Sequence, residues 1–416
     1  MATVHEVELR FGAASVRVGT WDELAITHDM LAPTSPWTVT LWRTAAQDPW
    51  PQTDIWPLVL IDETADVVVD GAVQVRGYIS AVQVTADKGG SPLTITGRDQ
   101  AAVAQKADAD PALSLRNVTL VDALERLFAP LGINVTVGVL AADARTALAG
   151  MRPGARTTTG RRARRAHRVD QFRVKVGEKV WQLADQLCRR HGYLLYTAPS
   201  GDGVALVIDR PAYDAPVQYQ FTRRRQPDGS YAGTILSGGR KTDGSNVPTS
   251  VTVFGHAAVA SREDARLRVT VENEGLAHPR VAGSQPARPR YLRDDKARTQ
   301  DTCTQRGRRE IAAAMADFDV YEYTVQGLGQ SGRLFAVNAM ARVDDDMTGV
   351  HADCLVTRVA MKRSRGGGHT SAVRLVPRGA LVIEPDPDVK LPPEAHRFID
   401  EAKLAFARAF GIPTPK

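Results

Sequence analysis

Apolar and polar side chains alternate with a period of two along most of this chain, and in several places the alternation gives way to a helical period. The sharpest of these lies between Phe172 and Tyr196. Phe172, Val174 and Val176 alternate with Arg173 and Lys175, which predicts a half-buried strand. Gly177 breaks the run, and Glu178 follows in the first turn of a predicted helix, where the macrodipole favours a carboxylate. Val180, Ala184, Leu187 and Cys188 then recur at helical spacing. Arg189 and Arg190 fall in the last turn, and Gly192 suits a left-handed stop. Leu194-Leu195-Tyr196 opens a second strand. The segment is well specified as structure and carries no evident catalytic group, so it points to binding or scaffolding.

The same order occurs upstream. Thr119 caps a predicted helix whose Leu120, Leu124, Leu127, Phe128 and Leu131 form one stripe, Gly132 stops it, and Ile133–Val137 reads as strand. Asp202-Gly203 turns Leu194–Tyr196 into Val204–Ile208. Together the copies define an α+β domain over residues 106–215, with an Arg-rich insertion at 141–168. Residues 1–105 form a first β domain. Its strands are predicted around Val7–Phe11, Ala14–Val18, Trp37–Trp42, Pro57–Ile61, Val67–Val69, Gly77–Val84 and Pro92–Thr96, with Gly, Asp and Pro between them. Residues 216–385 return to strands, clearest at Val251–Phe254, Arg266–Val271, Tyr321–Gln326, Phe335–Val343, Leu355–Met361 and Ser371–Val376. One helix, roughly Arg293–Ala316, interrupts them. Residues 386–416 hold the Pro/Asp linker and a C-terminal amphipathic helix with Phe398, Ala402, Ala405, Phe406 and Ala409 on one face. That helix docks on a partner, through Phe398, Ala402 and Phe406, or packs on its own chain. The expected fold class is α+β, mostly β: two β-barrel domains flanking a small α+β domain, plus a C-terminal helix.

Composition narrows the chemistry. The 416 residues suffice for several cores. Three cysteines, odd in number and far apart, argue against a disulfide framework and for a reducing compartment. The N-terminus lacks the apolar core of a signal peptide, and no apolar run is long enough to span a bilayer. A net charge of +6 is only mildly basic. Arg161, Arg162, Arg164, Arg165 and Arg168 concentrate part of it. The plain reading of that run is a solvated insertion; the sharper one is an anionic contact with phosphate, a lipid head group or an acidic partner. No aromatic residue interleaves, so specific nucleic-acid recognition by base stacking is not expected. Gly327-Leu328-Gly329-Gln330-Ser331-Gly332 matches G-x-G-x-x-G, but a strand rather than a helix follows, so a glycine-rich hairpin is expected and no dinucleotide cofactor. Asp344-Asp345-Asp346 lacks the other ligands of a calcium loop, and His351-Ala352-Asp353-Cys354 has no second pair at zinc spacing. No nucleophile, triad or metal motif stands out, so no enzyme, cofactor or metal is expected.

Several motifs together resemble one family. V-G-E-K-V-W followed by R-R-H-G-Y-L-L-Y is similar to the middle module of the baseplate hub protein of Mu-like contractile phages, the late control or tail protein D type. Gly77-Tyr78-Ile79 with Leu93–Asp99 resembles the end of that family's first barrel. Tyr323–Gly327, Gly332–Phe335, Asn338, Leu355–Val359 and Leu375-Val376-Pro377 resemble its second. The ordered matches span about residues 75–385. The resemblance implies a homotrimer in which two barrels per chain make a pseudo-sixfold ring, joining a hexameric tail tube to a trimeric spike. It implies partners in the spike, the tube or a tube-terminating protein and other baseplate proteins. It also implies a place in the virion after assembly in the host cytoplasm. The Arg-rich insertion and terminal helix inherit nothing from it. Val176–Ala184 is also similar to the start of a LysM glycan-binding module, which leaves a peptidoglycan-binding tail protein, or a tail-associated wall hydrolase, as the alternative.

Overall fold

The computed structural model describes residues 5–11, 14–17, 22–42, 60–85, 92–137, 168–190, 193–200, 203–256, 266–273, 287–294, 297, 300–364, 368–378 and 380–381. The first unit holds β1 (Val7–Phe11), β2 (Ala14–Arg17), β3 (Glu23–Asp29), β4 (Pro36–Leu41), β5 (Thr64–Val69), β6 (Ala72–Val84) and β7 (Leu93–Asp99). The middle unit holds α1 (Ala101–Lys106), β8 (Ser114–Thr119), α2 (Leu120–Phe128), β9 (Val135–Val137), β10 (Arg168–Arg173), α3 (Val180–Arg190), β11 (Leu194–Ser200) and β12 (Gly203–Asp209). Then come β13 (Val217–Arg225), β14 (Tyr231–Gly233), β15 (Ile235–Thr242), β16 (Ser250–His256), β17 (Arg266–Glu272), β18 (Pro289–Arg293) and α4 (Gln300–Ala316). The chain continues through β19 (Asp319–Gln326), β20 (Gly329–Gln330), β21 (Arg333–Leu334), β22 (Ala339–Asp345), β23 (Val350–Ser364) and β24 (Gly368–Pro377).

The fold is mostly β. One fourteen-stranded sheet runs β14-β13-β22-β23-β3-β4-β7-β6-β5-β1-β2, with β24, β19 and β15 branching from β23. The two β units therefore share a sheet. They meet where β3 pairs antiparallel with β23, Leu24–Asp29 against Arg358–Arg363. In β3 the period-two pattern is complete: Leu24, Ile26 and His28 are buried while Glu23, Ala25, Thr27 and Asp29 are partly exposed. No ladder closes either unit into a barrel among the described residues. In the second unit β13 and β15 approach without pairing, and Arg223 Nη2 donates across the gap to the Gly238 carbonyl at 3.2 Å. In the first unit Trp37 on β4 stands opposite Gly97 on β7. The buried indole lies over that glycine so closely that a Cβ there would sit 2.2 Å from the ring.

The middle unit follows its local signals. Thr119 and Asp122 form a reciprocal capping box at the start of α2. Gly132, with φ 66°, ends the following turn. α2 and α3 pack Phe128 edge-on to Trp181, with ring centroids 6.5 Å apart. Both copies of the helix–strand order feed one sheet, β11-β12-β9, with β9 parallel to β12. A satellite unit, the sheet β17-β16-β18 with α4 across one face, interrupts the second β unit.

Some elements differ from the sequence pattern. The strand expected from Phe172 to Val176 ends at Arg173, and Val176 is 87% exposed. Glu178 accepts the Lys175 N–H at 2.7 Å, which closes a turn around Gly177 at φ 83°. Leu60 and Ile61 lie in an exposed turn rather than a strand, ahead of Asp62 in the left-handed region. The helix expected from Arg293 begins at Gln300, because Pro289–Arg293 pairs with β16 as a strand.

Candidate functional site: the junction of the three units

Two polar clusters fasten the middle unit to its neighbours. Asp99 ends β7, fully buried, and its Oδ2 accepts the Ser35 N–H at 2.7 Å and the Thr197 hydroxyl at 2.5 Å. Burial pushes the Asp99 carboxyl up to about 6, against the pull of the Thr197 and Ser35 hydrogen bonds. On the other side Asn338 sits at φ 57°, a conformation asparagine tolerates better than most residues. Its Oδ1 accepts the Ala212 N–H at 2.9 Å, and its Nδ2 donates to the Arg210 carbonyl at 3.0 Å and the Tyr196 hydroxyl at 3.2 Å. Leu194, Tyr196, Ala205 and Val207 join the same apolar core as both β units. Shared core and polar fastening together make one block rather than three beads.

A cavity of about 580 Å³ lies at this junction. The first unit lines it with His5, His28, Val69, Asp70, Ala72 and Gln74, the middle unit with Ala198 and Pro199, and the second β unit with Gly329 and Ser331–Val337. His5 Nδ1 meets Asp70 Oδ2 at 2.5 Å. His28 is buried with both ring nitrogens lacking a hydrogen bond, and burial lowers it to about 4, so it is neutral at pH 7. The glycine-rich motif forms one rim as the hairpin β20–β21, turning at Ser331 and Gly332 in the left-handed region. It is the hairpin the sequence predicts. Gln330 holds it down with two bonds to the backbone of Gln220.

The aspartate run is structural as well. Arg223 clamps Asp345 through two bonds at 2.8 and 2.6 Å, and the Tyr323 and Thr348 hydroxyls also reach that carboxylate. Burial opposes ionisation of Asp345, but the Arg223, Thr348 and Tyr323 contacts outweigh it and hold the group near 2. Asp346 accepts the Arg225 N–H, and Asp344 lies 3.3 Å from Arg342. A second clamp, Arg240 on the buried Asp319 with the Tyr321 hydroxyl, stands on the neighbouring strands. No group of three His, Cys, Asp or Glu side chains converges as a metal site among the described residues. Cys188, Cys303 and Cys354 are buried and carry no disulfide.

Of the residues singled out from sequence, Arg161, Arg162, Arg164 and Arg165 and the helix residues Phe398, Ala402 and Phe406 lie outside the described residues. Arg168 opens β10, opposite Thr119 on β8. Trp181, the aromatic of the LysM-like stretch, is 7% exposed and belongs to the middle core. The sequence pattern gives no sign of Thr197 or His28, and shows Asp99 only as the end of the Leu93–Asp99 stretch. Their roles come from partners far along the chain.

Comparison with known proteins agrees with this geometry. The family model for Mu phage baseplate assembly protein GpP-like, N-terminal, matches residues 6–99. No curated protein matches the sequence. The tail protein from Neisseria meningitidis MC58 superposes with a TM-score of 0.69 at 20% identity, covering 91% of this chain and 98% of that one. The 43 kDa tail protein of prophage MuSo2 from Shewanella oneidensis gives 0.64 at 17% identity, over 91% and 100%. Prophage tail protein gp18 from Listeria monocytogenes gives 0.52 at 10% identity, over 98% and 99%. The first β unit thus matches the N-terminal domain of a Mu baseplate assembly protein, and the chain as a whole has the fold of prophage tail proteins.

Proposed function

We propose that this chain is a structural baseplate hub of a contractile phage tail, or of a related injection machine. In this reading it forms a homotrimeric ring that joins a hexameric tail tube to a trimeric central spike. It is built in the host cytoplasm and ends in the virion. The observation that carries the reading is the GpP-like match over residues 6–99, in a chain whose first and last β units share one sheet through β3 and β23. Two β units per chain that share one sheet would let a threefold assembly present six modules to a sixfold tube. The polar clusters at Asp99 and Asn338 keep the middle unit from hinging between them. No enzymatic role is proposed. The glycan-binding alternative requires an exposed aromatic platform, and Trp181 is instead packed against Phe128. The test is light scattering and electron microscopy of the pure chain, alone and mixed with the tube and spike proteins of the same tail. A three-subunit ring is expected. A chain that stays monomeric in every mixture would refute the assignment.

A further inference from the structure

The helix α4 is buried on two sides. Gly307 and Cys303 face the satellite sheet, where a Cβ on Gly307 would come within 2.9 Å of Val271. Gln305, Arg309, Ala312 and Ala316 recur at helical spacing and are buried as well, and α4 contacts α3 and β19 in addition to that sheet. Arg309 is only 5% exposed. Its Nε and Nη1 are buried without a hydrogen bond, and so is Gln305 Oε1.

The carboxylates nearby are already engaged. Asp185 on α3 takes Arg189 at 2.7 Å. Glu310 on α4 takes Arg290 at 2.9 Å and Arg306 at 3.3 Å. Arg189 and Arg306 add positive charge around Arg309, against which Asp185 acts in the opposite sense. A guanidinium does not escape by losing its proton in the physiological range. An unpaired buried charge is costly to keep in a fold, and a compensating anion would recover that cost. Burial and the neighbouring arginines draw the Arg309 pKa down to about 10, consistent with a missing counter-charge.

We propose that the α3–α4 contact is an oxyanion-binding site, with Arg309 as its central ligand and Arg189 and Arg306 beside it. The ligand class is phosphate or carboxylate, whose planar or tetrahedral oxygens accept two bonds from a guanidinium fork. The site is independent of the hub assignment. Its ligand comes either from free solute or from a carboxylate side chain of a second copy of this chain.

The experiment uses the full chain in chloride buffer, titrated with inorganic phosphate at constant ionic strength and followed by calorimetry and thermal unfolding. Subunit number is measured by light scattering in parallel. If the ligand is free, the midpoint rises with the logarithm of phosphate concentration, and Arg309→Met abolishes the rise. If a second copy supplies the carboxylate, phosphate has no saturable effect and Arg309→Met loses self-association. Where the methionine variant fails to fold, Arg309→Lys carries the test: the compact ammonium keeps the charge but loses the fork, and phosphate affinity or self-association falls about tenfold or more. Unchanged self-association with no saturable phosphate effect, in the chain and in either folded variant, overturns the proposal.

Discussion

Replacing Asp99 with asparagine tests how the first β unit is fastened to the middle unit. The Asp99 carboxyl ordinarily titrates near 3.8 and is raised to about 6 in the fold, chiefly by burial. Below 3.8 it is protonated in both folded and unfolded chains and contributes no pH dependence. As the pH rises through that window the unfolded chain ionises first, so the folded state holds the extra proton and stability falls. Above 6 both states are ionised and the loss is complete. A shift of this size corresponds to about 3 kcal/mol, most of it incurred between pH 4 and 6. Asparagine keeps an oxygen for the Ser35 N–H and the Thr197 hydroxyl. It places an amide where Oδ1 now lies buried without a bond, at a constant cost of about 1–3 kcal/mol. The absolute stability of Asp99→Asn is thus a balance of two terms, while its pH dependence isolates one. Denaturant unfolding of both chains from pH 4 to 7.5 is the assay. The stability difference should swing by about 2–3 kcal/mol in favour of asparagine as the pH rises. Parallel curves for the two chains would refute the assignment of a raised Asp99.

Four further outcomes are expected. Arg223→Met, by stranding the buried Asp345, should cost about 3–5 kcal/mol in denaturant unfolding at pH 7. It should also remove the stability that Asp345 contributes above its ordinary 3.8 and that the intact chain loses as pH falls toward 2. Gly97→Ala drives a methyl into the Trp37 ring and should lower stability by about 1–3 kcal/mol, with altered Trp fluorescence reporting the displaced indole. Asn338→Ala removes three bonds and strains a left-handed residue; a loss of about 2–4 kcal/mol, with faster proteolysis around Arg210, is the expected result. Trp181→Ala should destabilise by about 3–5 kcal/mol and leave any peptidoglycan pull-down unchanged, whereas a glycan platform would show the reverse.

Local grammar was legible along this chain wherever a side chain's role is decided within a few residues. The Thr119 cap, the Gly132 stop and the strand around Trp37–Leu41 all appear where their patterns place them. So does the G-x-G-x-x-G hairpin, because the alternation after it excluded the helix a dinucleotide site needs. Position-specific pairing was not legible. β3 passed unnoticed because its third inward residue is a histidine, which breaks the apolar count without breaking the alternation. Asp345 looked like a solvated turn residue. Only β13, over a hundred residues earlier, supplies the guanidinium that makes it a core group. The α4 sequence singles out no packing face, since a helix buried on two sides has no single apolar stripe. The junction of Asp99, Ser35 and Thr197 joins three distant stretches, and nothing in any one of them announces the others.

The pairing of β3 with β23 also sets the order of events in biosynthesis. Met361 pairs with Ile26, so β3 must wait for more than 300 further residues to emerge before its partner exists. At ribosomal speeds that wait is on the order of tens of seconds. Throughout it, Leu24 to Asp29 presents one row of open backbone donors and acceptors, the template on which nascent chains aggregate or exchange strands. Chains truncated before β23 should therefore be insoluble or captured by chaperones, and a strand made late serves as the seal on the first unit.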